Sequence, residues 1–275
     1  MKNEGKLPRI AIPVPHSGDP EYAERALPVY LDAVLGAGGE PVRIELGLPA
    51  TEVLRQIEDC DGVLLPGSRA DVDPERYGAE RDPKTDESDA EREAVDALLL
   101  GDAYKLRKPV LGICYGLQSL NVFRAGTLVQ DVPTANPESK IDHSAGRTVA
   151  KAHHVTVEPG SRLARIVGAG SGGAGTKGAP SVESLAVAVN SSHHQAVDVA
   201  GQGLRVVAHC AEDGTLEALE GTDAGHFVVA VQWHPERSVN DDPEVAEPAK
   251  AIFRAFIAAA RARQAELAGV AQTVR

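Results

Sequence analysis

The chain has 275 residues, of which 43% are hydrophobic and 25% charged, and a formal net charge of −12. These values suit a globular protein with a sizeable core, and they exclude a broad nucleic-acid or anionic-membrane surface. No apolar run reaches the length of a membrane span and the N-terminus lacks a signal-peptide pattern. Three widely spaced cysteines (Cys60, Cys114, Cys210) argue for a reducing, cytoplasmic setting rather than a disulfide framework.

Short apolar runs alternate with helical patterns from the start. Arg9 to Val14 reads as a strand. A helix is expected from near Pro28, tolerated in a first turn, with Tyr30, Leu31, Val34 and Leu35 on one face and a stop at "GAGG". "PVRIEL" is a second strand. Thr51 is a candidate cap for a helix that turns Val53, Leu54 and Ile57 to the core. "GVLLPG" is a fully apolar strand ending in a turn. Asp86 to Lys105 is an acidic-then-apolar helix whose charged start suits the positive helix end and a solvated face. "PVLGIC" is another buried strand. Strand–helix alternation with apolar strands predicts a parallel sheet covered on both faces.

The second half is β-rich and turn-separated: "HHVTVEPG", "SLAVAVNSS", "LRVVAHCAEDG", "LEALEG" and "FVVAVQWHPE". Such strands are expected to join the same sheet in mixed or antiparallel fashion. "GAGSGGAGTKGAPS", residues 168–181, reads as a flexible insertion within one domain. The last helix carries Val245, Ala249, Ile252, Phe253, Phe256, Ile257 and Ala260 at core-facing spacing, with fraying expected from about residue 265. A single domain is expected, with its core over about residues 9–260.

Chemistry concentrates at two strand ends. Cys114 closes an apolar strand and a helix begins at once, with Gly112 and Gly116 bracketing the thiol as a tight turn requires. Open α/β sheets hold their reactive groups at carboxyl ends of strands, and the helix N-terminus favours thiolate over thiol. A buried structural cysteine is the alternative on this pattern alone. A thiolate needs a base and the base an orienter, and "VQWHPE" offers His234 and Glu236 on either side of a proline. The plainer alternative is a surface turn with a chance histidine.

"GICYGLQSLN" followed by "VQWHPE" resembles the class I glutamine amidotransferase superfamily. "LLPGSRADVDPERYG", "AGTLVQDV" and "VNSSHHQAV" narrow the resemblance to its γ-glutamyl-γ-aminobutyrate hydrolase branch, peptidase C26, over about residues 9–260. The resemblance implies a three-layer, flavodoxin-like α/β sandwich with a mostly parallel central sheet and added antiparallel strands. It implies Cys114 as nucleophile, His234 as general base and Glu236 as its orienter. The oxyanion hole would be the backbone amides of Tyr115 and of Gly67 or Ser68. Gln118 would bind the glutamyl head, and Ser192, His193, His194 and Gln195 would contact its α-carboxylate and α-amine. Tyr115 stands where the hydrolase branch usually has arginine, as in glutamine-using members. Ala125 stands where glycine is common.

The implied activity is hydrolysis of small γ-glutamyl amines through a γ-glutamyl thioester, as in putrescine breakdown, without metal or organic cofactor. Two alternatives stand beside it: a glutaminase subunit serving a separate synthase, and a non-catalytic binding protein on the same fold. A homodimer is a reasonable expectation, with no nucleic-acid or membrane partner. His143, His153 and His154 hint at a metal, but no carboxylate or further histidine lies at helical spacing from them, so none is expected. Cys60 and Cys210 are expected to be inert.

Overall fold

A computed structural model describes residues 6–170 and 184–273. Its sheet places β1 (Arg9–Pro13), β2 (Glu40–Ile44), β3 (Gly62–Leu65) and β4 (Val110–Ile113) in the order β2-β1-β3-β4, all parallel. The two-residue β5 (Leu128–Val129), β6 (His153–Val157), β7 (Leu185–Val189), the two-residue β8 (Ala196–Val197), β9 (Leu204–Cys210), β10 (Leu216–Gly221) and β11 (Val228–Val231) follow in the chain. β11 lies parallel to β4, and β10, β9, β6 and β7 continue the sheet antiparallel. β5 and β8 pair beside β10.

Strand alternation separates two cores. Ile10, Ile12, Leu64, Leu111 and Ile113 face one side, packing with α1 (Pro20–Gly36) and later helices, including Tyr30, Val34, Phe253 and Phe256. Ala11, Val63, Leu65 and Val110 face the other, against α2 (Ala50–Ile57), α3 (Ala90–Leu106) and α4 (Tyr115–Phe123). α5 (Val132–Ala135), α6 (Arg162–Gly170), α7 (Pro235–Ser238) and α8 (Pro243–Thr273) complete the helices among the described residues, with α6 and α8 packed together on the first face. This is the expected three-layer sandwich.

Several local expectations change. α1 begins at Pro20, not Pro28: Asp19 caps it by accepting from the Tyr22 amide at 2.9 Å, and Pro28 sits inside on the exposed side. Thr51 is not a cap; it lies in the first turn of α2 behind Pro49, and no side chain caps that end. The acidic run before α3 is not merely solvated. Asp89, Arg92, Glu93 and Asp96 are buried, and the first of them caps the helix at the Arg92 amide. α8 spans Pro243–Thr273, and the residues around 260–266 are alanine, arginine, glutamine and glutamate, good helix formers even when exposed. All seven residues of its expected apolar stripe are buried. Most of the glycine-rich stretch 168–181 lies outside the described residues.

Among the described residues no helix is long and apolar enough to cross a membrane.

Candidate active site

β3, β4 and β11 are neighbours, so their carboxyl ends bring the "PGS" turn, Cys114 and His234 to one place. Cys114 forms the corner between β4 and α4 with φ 54° and ψ −109°, a conformation that L-residues avoid. The corner closes only because its flanks lack side chains. A Cβ on Gly116 would run into the carbonyl of Leu65, and one on Gly112 would come within 2.8 Å of the Gly116 carbonyl oxygen. The Cys114 amide donates to Val231 O at 2.8 Å, which ties the corner to β11.

His234 follows that strand. Its backbone is bracketed by Asn190, whose Oδ1 accepts from the His234 amide at 2.9 Å and whose Nδ2 donates to His234 O at 2.8 Å. Nδ1 of the imidazole lies 2.8 Å from Glu236 Oε1 and 3.5 Å from the Tyr30 hydroxyl. Both His234 and Glu236 are buried. Nδ1 is therefore occupied, and Nε2 is the nitrogen left for proton transfer.

Burial dominates the electrostatics. It pushes the Cys114 thiol up to about 12, against the nearby Arg237 charge. It also lowers His234, outweighing the attraction of Glu236. Burial works against the charge of Glu236 too, but His234 and Arg237 prevail and hold its carboxyl below the usual range. Burial thus favours the neutral thiol and the neutral imidazole, and desolvation of the buried sulfur opposes the thiolate that the helix N-terminus favours.

A cleft of about 400 Å3 opens over the pair, lined also by Ser68, Tyr115, Gln118 and Ser192 to Gln195. The sequence-predicted residues thus converge, with distinctions. The Gly67 amide donates to the Tyr30 hydroxyl at 3.0 Å, which leaves Ser68 as the free amide of the turn. Gln118 Nε2 donates to Gln195 O at 3.2 Å, and Gln195 Nε2 to Gln130 O at 3.2 Å. His194 is held by Asp71 at 3.1 Å, the hydrogen bond that chiefly raises its pKa. His193 directs both ring nitrogens at protein atoms, Nδ1 to Gln195 O at 2.9 Å and Nε2 toward Glu217 at 3.5 Å. The Tyr115 ring is buried on the Arg92 guanidinium, so only the neighbourhood of its backbone serves the cleft.

Arg69 and Asp71, from the motif "LLPGSRADVDPERYG", also line the cleft, whereas sequence reasoning missed Arg25, Arg147 and Arg237, together with Asp86. Arg237 is the most telling, since its Nη1 is buried without a hydrogen-bond partner. Its position directly after Glu236 was the available signal. Helical spacing does not register one histidine cluster beside the cleft. Two strands and two loops, not a helix, bring His143 and His153 to His193 and Glu217, while exposed His154 points to the other side of β6.

Comparison with known proteins decides the family: residues 14–236 match peptidase C26. The chain belongs to the peptidase C26 family. It is an enzyme of the amidotransferase and hydrolase kind. A Mycobacterium tuberculosis protein named "putative glutamine amidotransferase" is 36% identical over 77% of this chain, and the match spans 62% of that relative's length. A γ-glutamyl-γ-aminobutyrate hydrolase of Escherichia coli O157:H7 is 30% identical over 86% of this chain and 87% of its own. The fold of this C26 member also matches a Thermoplasma acidophilum structure described as one subunit of a "putative GMP synthase", with TM-score 0.57 and 13% identity over 96% of this chain and 99% of that one.

Proposed function

We propose that the protein is a thiol hydrolase that cleaves the γ-glutamyl amide bond of small γ-glutamyl amines, with Cys114, His234 and Glu236 as its catalytic triad. The observation that carries this reading is the 2.8 Å pairing of His234 with Glu236 in the cleft that also holds Cys114. Glu236 fixes the imidazole with Nε2 free. As substrate binds, Nε2 takes the thiol proton and the sulfur attacks the γ-carbonyl carbon. The amides of Tyr115 and Ser68 receive the oxyanion. The imidazolium then protonates the departing amine nitrogen, the C–N bond breaks and a γ-glutamyl thioester remains. Water, deprotonated by the same Nε2, attacks the thioester, and glutamate leaves as the thiol is restored.

The cleft charges support a doubly anionic substrate. Arg25, Arg69, Arg147 and Arg237 suit the α-carboxylate and a second carboxylate on the leaving amine, and Asp71 and Asp86 suit the α-ammonium. Gln118, Ser192, His194 and Gln195 form the edge that positions the glutamyl head. A relative named for hydrolysis of γ-glutamyl-γ-aminobutyrate adds weight to such a small-molecule substrate.

The test is glutamate release by the purified chain from γ-glutamyl-γ-aminobutyrate, uncharged γ-glutamyl amines and glutamine. The expected order favours the carboxylate-bearing amine, with all turnover lost in Cys114→Ala. Turnover of glutamine alone would replace this reading with a glutaminase serving a synthase. Unchanged turnover in Cys114→Ala would remove the thiol mechanism.

A further inference from the structure

Behind the cleft, four buried side chains converge without satisfying one another. His143 precedes β6 in a loop, His153 opens that strand, His193 lies in the cleft-lining segment before β8, and Glu217 belongs to β10. Their exposures are 3%, 4%, 6% and 0%. His143 Nδ1, His153 Nε2, His193 Nε2 and both oxygens of Glu217 are buried with no hydrogen-bond partner. Orphaned polar atoms are rare in protein interiors, and a convergent set of them needs a common partner.

Each ring is already held by its other nitrogen. His143 Nε2 meets Asp213 Oδ2 at 3.0 Å, His193 Nδ1 meets Gln195 O at 2.9 Å, and His153 Nδ1 meets His154 O at 3.3 Å. An imidazole whose outer N–H donates to a carboxylate or carbonyl presents an unprotonated inner nitrogen, the arrangement that metal-binding histidines adopt. The inner nitrogens lie 3.4, 3.5 and 3.5 Å from Glu217 Oε1, and the four ligand atoms fall within 4.8 Å of one another. A tetrahedron with metal–ligand bonds of about 2.1 Å has edges of about 3.4 Å. The spacing is too long for good hydrogen bonds and right for a shared cation.

We infer that His143, His153, His193 and Glu217 form a structural site for a divalent zinc-class cation. Three imidazoles and one carboxylate suit Zn2+ above harder, octahedral cations. Four protein donors close the coordination shell, so the ion cross-links rather than hydrolyses. Its two charges are balanced by Glu217 and by Asp213 behind His143. It ties β6 and β10 to the His143 loop and to the segment Ser192–Gln195, fixing one wall of the cleft. The site does not rest on the substrate reading: its ligand atoms come from β6, β10 and two loops, although His193 also lines the cleft.

The test uses the full chain, purified without chelator and free of any histidine tag. Elemental analysis should give one zinc per chain. Chelator-stripped protein should take up one equivalent of Zn2+ and gain roughly 8–16 °C in Tm at a thousandfold excess over Kd. Co2+ in its place should give the intense visible bands of a tetrahedral complex. His153→Gln and Glu217→Gln should lose stoichiometric uptake, whereas His154→Gln, one residue away on the opposite face, should keep it. Should those two variants fail to fold, Asp213→Asn reaches the cluster only through the outer nitrogen of His143, its other bonds being to Ser139 Oγ and the Thr215 amide, and should weaken Zn2+ binding about 10–100-fold. Absence of Zn2+ and Co2+ uptake by the stripped wild type would overturn the site, as would a weak octahedral Co2+ spectrum. Uptake unchanged in Asp213→Asn and in any of the folded ligand variants would do the same.

Discussion

The guanidinium of Arg92 lies 4.8 Å from the centre of the Tyr115 ring, wholly buried beneath the residue that follows the candidate nucleophile. The same group pairs with Asp96 at 2.7 Å and donates to Pro15 O at 2.9 Å and Pro66 O at 2.6 Å. One side chain therefore joins the end of β1, the "PGS" turn and the Cys114 corner. Arg92→Met should destabilise the protein by about 3–5 kcal/mol in urea unfolding, because Asp96 keeps a buried charge without a partner. Adding Asp96→Leu should recover much of that loss. A single variant within about 1 kcal/mol of wild type would show that the pair is not holding this floor. Tyr115→Arg should also destabilise, since it sets a second guanidinium against the first.

Burial favours a neutral thiol at Cys114 and a neutral imidazole at His234. Catalysis by Nε2 needs the neutral form, so kcat/KM should be full above the imidazole pKa and fall as pH drops through it. Burial lowers that pKa, which places the acid limb below the ordinary histidine value of about 6.5. Alkylation of Cys114 should accelerate steadily with pH beyond neutrality, because burial pushes its thiol up to about 12. An alkylation rate already flat at neutral pH would instead mark a preformed thiolate–imidazolium pair.

Glu236 orients His234 from a fully buried position. Glu236→Gln preserves shape but removes the charge that steadies the imidazolium and selects its tautomer. We expect kcat to fall by about 10²–10⁴-fold with little change in KM. A kcat within tenfold of wild type would mean that the carboxylate is only structural. Asn190→Ala frees both sides of the His234 backbone and should lower kcat as well, in steady-state assays on the same substrate.

Ala125 ends α4 with φ 64°, a left-handed position where glycine carries no Cβ penalty. Ala125→Gly should stabilise by up to about 1 kcal/mol, raising Tm by about 2–4 °C in calorimetry. Gly116→Ala should do the opposite and severely, since the Leu65 carbonyl occupies the space its Cβ needs. A tolerated Gly116→Ala would mean that the corner can open.

Much of the fold was legible because the parallel strands are continuous apolar runs and the antiparallel ones are short and turn-bounded. Cys114, His234 and Glu236 were legible because each sits at a strand end within a distinctive local pattern. What escaped notice was polar burial. Asp89, Arg92, Glu93 and Asp96 read as a solvated acidic helix start, yet their recurrence at three- and four-residue spacing puts them on one inward face. Glu93 accepts from the Asp73 amide at 2.8 Å, so this face shapes the loop over the cleft. Arg25, Arg147 and the His143–Glu217 cluster were hidden for another reason. They are gathered by strand order and loop return, which no local spacing records.

That strand order also governs when the site comes into being. β11 docks against β4, although it follows that strand only after the intervening antiparallel strands in the chain. Cys114 leaves the ribosome about 120 residues ahead of His234, an interval of roughly 6–24 s at ordinary elongation rates. Throughout that interval the nucleophile has no base and its corner lacks the Val231 carbonyl that anchors it. On the proposed mechanism a nascent or truncated chain should therefore be chemically silent, with completion of the sheet switching the thiol on.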